Sequence, residues 1–271
     1  MAVSSRFVGR GDFLNIYRKR YKEVIRLIMR WAGCWMVVLS VWGFARVDAE
    51  EPRYPQWFME GAKEGALAVG YSTTFFHADS SVAYALRDGA GNIVTGRAVR
   101  IQSEEGFARV GGGWRFMGRV FHEEVDSSEV EVVMRQARMV DAITVGRSCI
   151  ALVAVGEDLP PVDTARVQMS STGPKWVDAL PREKNAVHAV GVARLYYYEH
   201  HSWQEAERAA RMELARTVLA QIRQLSKQAD GVLENVTVTE TDVVLRGVRM
   251  VKRWLDRERE VCYVLARMPV R

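Results

Sequence analysis

One pattern occurs twice in this chain, in the same order, on either side of about residue 160. Pro55-Gln56-Trp57, Ala68-Val69-Gly70, Arg135-Gln136-Ala137-Arg138-Met139-Val140 and Cys149 are echoed by Pro174-Lys175-Trp176, Ala189-Val190-Gly191, Arg246-Gly247-Val248-Arg249-Met250-Val251 and Cys262. The tryptophan and the cysteine lie 92 positions apart in the first copy and 86 in the second. That is the size of a small domain, too long for a solenoid repeat of roughly 20–50 residues. The pattern predicts a tandem duplication, with a first copy over residues 54–155, a linker over 156–173 and a second copy over 174–271. Each copy is long enough to bury a core of its own.

The second copy reads clearly. Val187, Ala189, Gly191 and Ala193 alternate with Val190 and Val192 in an apolar run suited to a buried strand. Ser202-Trp203-Gln204-Glu205 has the form of a capping box at a helix start. Ala206, Ala209, Ala210, Leu214, Val218, Ile222 and Leu225 then continue as one apolar face, with Glu205, Arg208, Arg211, Arg216, Arg223 and Lys227 mostly opposite. Gly231 suits the helix end. Strands follow around Val236, Val238 and residues 243–245, then over 248–255 and 261–268, the last two joined by the charged turn Asp256-Arg257-Glu258-Arg259.

The first copy has the same outline in degraded form: a strand over 67–73, a helix over 79–93 and a closing hairpin over 130–155. Gly89 and Gly91 fall inside that helix, each costing roughly 1 kcal/mol relative to Ala. Residues 107–125 look like an inserted hairpin with Gly111-Gly112-Gly113 at its tip. The fold class expected is α+β, an N-terminal apolar helix followed by two modules, each one long helix packed on an antiparallel sheet.

Residues 31–45 are uncharged and mostly apolar, and the basic cluster Arg18, Lys19, Arg20, Lys22, Arg26 and Arg30 precedes them. That order is an export signal or membrane anchor over residues 1–49, with small-residue cleavage sites ending at Ala45 and Ala49 and a compact signal starting from Met29. Residues 24–45 reach the ~20 needed to span a bilayer. Basic flanks stay inside, so either form places the remainder outside the cytoplasm, in the periplasm or on the envelope. Trp31-Ala32-Gly33-Cys34 has the look of a lipoprotein box, but the apolar run lies mostly after Cys34.

The leader also carries the charge. The net charge of +5 includes nine Lys/Arg and three Asp/Glu in residues 1–49, and the rest of the chain sums to −1. The basic excess therefore argues for a membrane-directing segment and against nucleic-acid binding. Cys149 and Cys262 occupy matching places in apolar strands, as small buried hydrophobes. An oxidising compartment permits a disulfide between them only if the two strands meet.

The Pro-x-Trp opening, the Ala-Val-Gly strand, the alanine-rich helix and the closing hairpin resemble the family of small envelope lipoproteins typified by the twenty-kilodalton Helicobacter lipoprotein, and the related N-terminal modules of flagellar outer-ring accessory proteins. The resemblance is good over residues 174–268 and weak over 55–155. It implies a noncatalytic, membrane-associated protein with a helix-on-sheet fold whose partners are envelope or flagellar proteins. The chain departs from that family in carrying two copies and in lacking a well-placed acylated cysteine.

No motif for catalysis, metal or cofactor stands out. His200-His201 beside Glu199 reads as a solvated loop pair, since His77, His122 and His188 lack ligand spacing to it. The glycine run has no Gly-Lys-Ser/Thr after it. Ser148-Cys149 has no histidine near it in sequence. The expectation is therefore no catalytic residue, no metal and no cofactor. Tyr196-Tyr197-Tyr198 with Trp203 is the candidate partner contact, because such side chains supply large amphipathic area. Trp57 and Trp176 read as core anchors at the start of each copy. The alternative is a periplasmic enzyme or small-ligand-binding protein, and a polar cleft between the copies with a convergent histidine and carboxylate would favour it.

Overall fold

The computed structural model describes residues 52–270 apart from 62–65, 111–112, 158, 160 and 231–239. The leader, Cys34, Gly231, Val236 and Val238 lie outside the described residues. Among those described, no helix is long and apolar enough to cross a membrane.

A seven-residue strand, β2 (Leu67–Thr73), sets the first layer. It pairs antiparallel with β6 (Ser148–Val155), which pairs in turn with β5 (Ala137–Val145), in the order β2-β6-β5. The β6 sequence Cys-Ile-Ala-Leu-Val-Ala-Val is apolar at every position because both of its faces are covered. Cys149, Ala151 and Val153 face helix α2 (Ala78–Arg97), while Ile150, Leu152 and Ala154 face the other way into a second core. A second three-stranded sheet repeats the plan. Strand β8 (Ala186–Arg194) pairs with β11 (Val261–Pro269), which pairs with β10 (Arg249–Asp256), beneath helix α5 (Glu199–Asp230).

The correspondence extends to single residues. Gly70 opposes Ala151 and Ser72 opposes Cys149, as Gly191 opposes Val264 and Ala193 opposes Cys262. The outer strand of each sheet has a β-bulge in the repeated Arg-Met-Val, between Met139 and Asp141 and between Met250 and Lys252. A Cβ on Gly70 would overlap the Ala85 carbonyl, and one on Gly191 the Ala206 carbonyl, each pair 121 positions apart. These glycines let a helix backbone rest directly on a strand.

The elements around these cores differ from the sequence expectation in four respects. The helix of the first copy runs on to Arg97 through Gly89 and Gly91, because Gly89 faces Val153 and a Cβ there would collide with it. The closing hairpin begins at Ala137, not at residue 130. Ahead of it, α3 (Ser127–Gln136) is started by Asp126, whose carboxylate accepts from the amides of Ser128 (2.9 Å) and Glu129 (3.4 Å). Ser202 is not a cap. Helix α5 already starts at Glu199, and the buried Ser202 hydroxyl instead accepts from the Tyr196 amide at 2.7 Å, as Ser81 accepts from Phe75 at 2.8 Å. The expected linker contains β7 (Arg166–Gln168), paired with β1 (Arg53–Pro55), followed by the buried Met169.

The inserted hairpin is formed by β3 (Ala98–Val110) and β4 (Gly113–Glu124). Strand β9 (Glu240–Arg246) pairs on the other side of β3, from Ala98↔Arg246 to Glu104↔Glu240. Late sequence thereby completes a sheet begun early. Its Val99, Ile101 and Leu245 bury Ala210 and Leu214 of α5.

The N-terminal half of α5 lies between two sheets. Ala206 packs toward β8, and the largest core cluster joins Trp203 and Ala206 to Val69, Ile150 and Leu152 on the back of the first sheet. Residues 52–271 accordingly make one compact unit, in which two core clusters draw on both copies, a third lies wholly within the first and a fourth wholly within the second. The short helices α1 (Gln56–Met59) and α4 (Lys175–Asp178) bury Trp57 and Trp176, the first donating to Asp141 at 2.8 Å and the second packing with Trp254. Cys149 and Cys262 are free, buried thiols in different clusters.

Candidate functional site

Two strand-to-helix loops, β2–α2 and β8–α5, reach the same end of the molecule and are tied down identically. The Arg147 carbonyl accepts from the Thr74 amide at 2.9 Å, and the Glu260 carbonyl from the Leu195 amide at 2.7 Å. With the serine contacts described above, the backbone of each loop is fixed on both sides. Its aromatic side chains are left outside. Phe75 and Phe76 lie in the first loop, and Tyr196 and Tyr197 hold the matching positions in the second, 121 residues on. Phe76 is 98% exposed and Tyr197 72%, with the Arg147 guanidinium 5.0 Å from the Tyr197 ring centre.

The predicted contact residues divide on inspection. Tyr196 and Tyr197 are exposed and Tyr198 is half-buried, its ring against His200 and His201. Trp203 is not on the surface. It is fully buried, edge-on to Phe58, and its indole donates to Glu199 at 2.8 Å. Sequence reasoning missed Phe75 and Phe76, although their distance from the tyrosines repeats that between the two glycines.

Behind the loops a groove of about 350 Å³ runs between α2 and α5, lined by Asp88, Asn92, Tyr196, His201, Gln204 and Arg208 among others. Asp88 lines it and also borders a neighbouring hollow walled by Phe75 and Tyr84. One Asp88 oxygen accepts from the Tyr71 amide at 2.8 Å and the other from Gln204 at 3.1 Å, which ties both helices to β2. Burial pushes its pKa up to about 6, with Glu207 adding to the rise.

Beneath the groove is a buried ionic cluster. The Tyr71 hydroxyl donates to Glu207, and Arg253 donates to the same Glu207 oxygen at 2.6 Å and to the Phe58 carbonyl at 3.0 Å. Arg211, expected on the solvated side of its helix, is buried and makes two bonds to Glu123, at 2.6 and 2.9 Å. These carboxylates are all committed to structural partners, so the groove has a polar floor whose charges are largely compensated.

His200 is not a solvated loop residue either. It sits buried in the first turn of α5, its Nδ1 2.9 Å from the Ser148 hydroxyl, which also accepts the His200 amide at 3.0 Å. A serine and a histidine at this separation are the start of a nucleophilic dyad, but Ser148 has no exposed surface for a substrate to reach. Burial, reinforced by His201, lowers the His200 pKa to about 4, so the ring is neutral at pH 7. Among the described residues no group of three or more His, Cys, Asp or Glu side chains is arranged to hold a metal ion.

Comparison of the chain with protein-family models, with curated proteins and with solved structures found no match.

Proposed function

We propose that this chain is a noncatalytic envelope protein. An N-terminal apolar helix exports or anchors it, and two tandem modules, each one long helix on an antiparallel sheet, act through protein contacts in envelope or flagellar assembly. The observation that carries this reading is the set of exposed aromatics on the two hollows that meet at Asp88, Phe75 and Tyr84 on one and Tyr196 on the polar groove. Rigidly held aromatics beside satisfied hydrogen-bonding groups are the chemistry of a protein interface. The leader and the family resemblance supply the compartment.

The test is photo-crosslinking in cells from Tyr84 and Tyr196, each replaced by a photoreactive phenylalanine in the full chain. Both positions are expected to capture the same envelope protein, with the adduct lost on Phe75→Ala. Absence of adducts from protein correctly placed in the envelope removes the contact role, and recovery of the chain from the cytosol removes the compartment. A second reading, a small-ligand site, draws on the groove volume of about 350 Å³ and on His201 beside Asp88. It predicts a co-purifying small molecule in the native mass spectrum.

A further inference from the structure

We infer that Phe76 and Tyr197, at the tips of the two matching loops, insert into the headgroup and upper acyl region of the membrane to which the N-terminal segment holds the chain. This rests on the anchored form of the reading above. Each loop presents two aromatics in different ways: Phe75 and Tyr196 turn toward hollows beside Asp88, whereas the next residue of each loop projects. Among the described residues Phe76 has one ring neighbour, His77 of its own loop, at 5.0 Å. An interface hot spot occupies a packed, enclosed centre. A lone projecting phenylalanine has no such enclosure, and a fluid interfacial layer accommodates it without requiring a matching pocket. Tyr197, with Arg147 stacked on it, has the amphipathic character of residues that collect at headgroup level.

The tether joins the folded unit at the same end. Eight residues, 46–53, separate the apolar run from Tyr54, a reach of at most about 28 Å. The Tyr54 hydroxyl donates to Glu199 at 2.6 Å, and Glu199 opens α5 directly after the three tyrosines. The folded unit therefore begins beside the aromatic loops. The far end lies beyond the 20-residue α2, about 30 Å away. In an anchored chain the tether keeps the loop end within about 28 Å of the bilayer. Exposed charge at that end is mixed, with Arg147, Arg194, Arg257 and Arg259 beside Asp79, Glu258 and Glu260. Aromatic area rather than anionic lipid thus drives the insertion, which is expected to persist at high salt.

The experiment uses the full chain in vesicles of phosphatidylethanolamine and phosphatidylglycerol, with a nitroxide placed by Phe76→Cys, Tyr197→Cys or, at the far end, Asn185→Cys. Each variant carries Cys34→Ser, and Cys149 and Cys262 are buried from the reagent. The expected result is an oxygen-to-nickel-complex accessibility ratio several-fold higher at 76 and 197 than at 185. Aqueous values at all three sites on vesicle-bound protein overturn the inference, leave the anchor standing and assign the loop tips to a protein partner. Failure of the whole chain to float with vesicles overturns the inference and the anchored reading together.

Discussion

Helices α2 and α5 rest on their sheets through the same glycine contact, yet they are covered quite differently on their outer sides. Outside α2 lies α3, a ten-residue helix that presents Val130, Val133 and Met134 to Val82, Leu86 and Ala90. Outside α5 lies the back of the first sheet, and the positions matching those three residues are Trp203, Glu207 and Arg211. A small apolar stripe suffices under a short amphipathic helix. A helix enclosed between two sheets buries a large aromatic and two charges, and each charge then needs a fixed partner. The helix–sheet register is common to both halves, and what covers the far side of each helix accounts for where their sequences diverge.

The largest expected effect tests that difference in cover. Gly70→Ala and Gly191→Ala each drive a methyl into a helix backbone at matching positions, so each is expected to destabilise by about 3 kcal/mol or more. Helix α2 can back away against a short surface helix, whereas α5 is held from behind by a sheet. Chemical denaturation should therefore show Gly191→Ala to be the worse of the two. Equal losses, or the reverse order, would break the claim that the second helix is the clamped one.

The second effect is a pair of opposed pH dependences. His200 has its folded pKa lowered to about 4, so between there and ~6.5 the unfolded chain binds the extra proton. Stability from this group is fully present above ~6.5 and is lost as pH falls through that window. Asp88 has its folded pKa raised to about 6, so from ~3.9 upward the folded chain holds the extra proton and stability is lost as pH rises to about 6. Each is worth at most roughly 3 kcal/mol, and together they nearly cancel. Urea denaturation of the native chain should be almost flat between pH 4 and 6. Asp88→Asn should uncover stability that climbs with pH across this range, and His200→Asn stability that declines. A flat profile in both variants would show that neither group is desolvated as the packing requires.

The elements legible in the sequence are those whose causes are local. The alternation in β8, the charged turn before β11 and the repeated glycines are all written within a few residues of where they act. The buried cluster is not, because its causes lie far apart in the chain. Tyr71 and Glu207 are 136 positions apart, and read alone Glu207 and Arg211 look like the solvated side of a helix. The β3–β9 pairing fails for the same reason, and α3 because ten residues carry too short an apolar stripe to separate from a strand. Of the candidate site, the tyrosine loop was visible as an unusual run. Its phenylalanine counterpart was visible only through the register of the repeat, and Trp203 went to the core because a wide space between two sheets needed filling.

The smallest effect tests whether the two halves solve one packing problem in two ways. In the first, α2 gives up a side chain at Gly89 and β6 answers with Val153. In the second, the matching residues are Ala210 on α5 and Ala266 on β11, both fully buried. Glycine-to-alanine in a helix ordinarily stabilises by roughly 1 kcal/mol. Here Gly89→Ala should destabilise by about 1–2 kcal/mol, because the new methyl meets the Val153 side chain in a closed core. Val153→Ala alone should also lose stability, through the cavity it leaves. The double variant installs the alanine pair of the second half and should recover most of the loss, with a favourable coupling of about 1–2 kcal/mol in a double-mutant cycle. Additive losses would mean that Gly89 is kept for some reason other than Val153, and the correspondence between the halves would stop at the backbone.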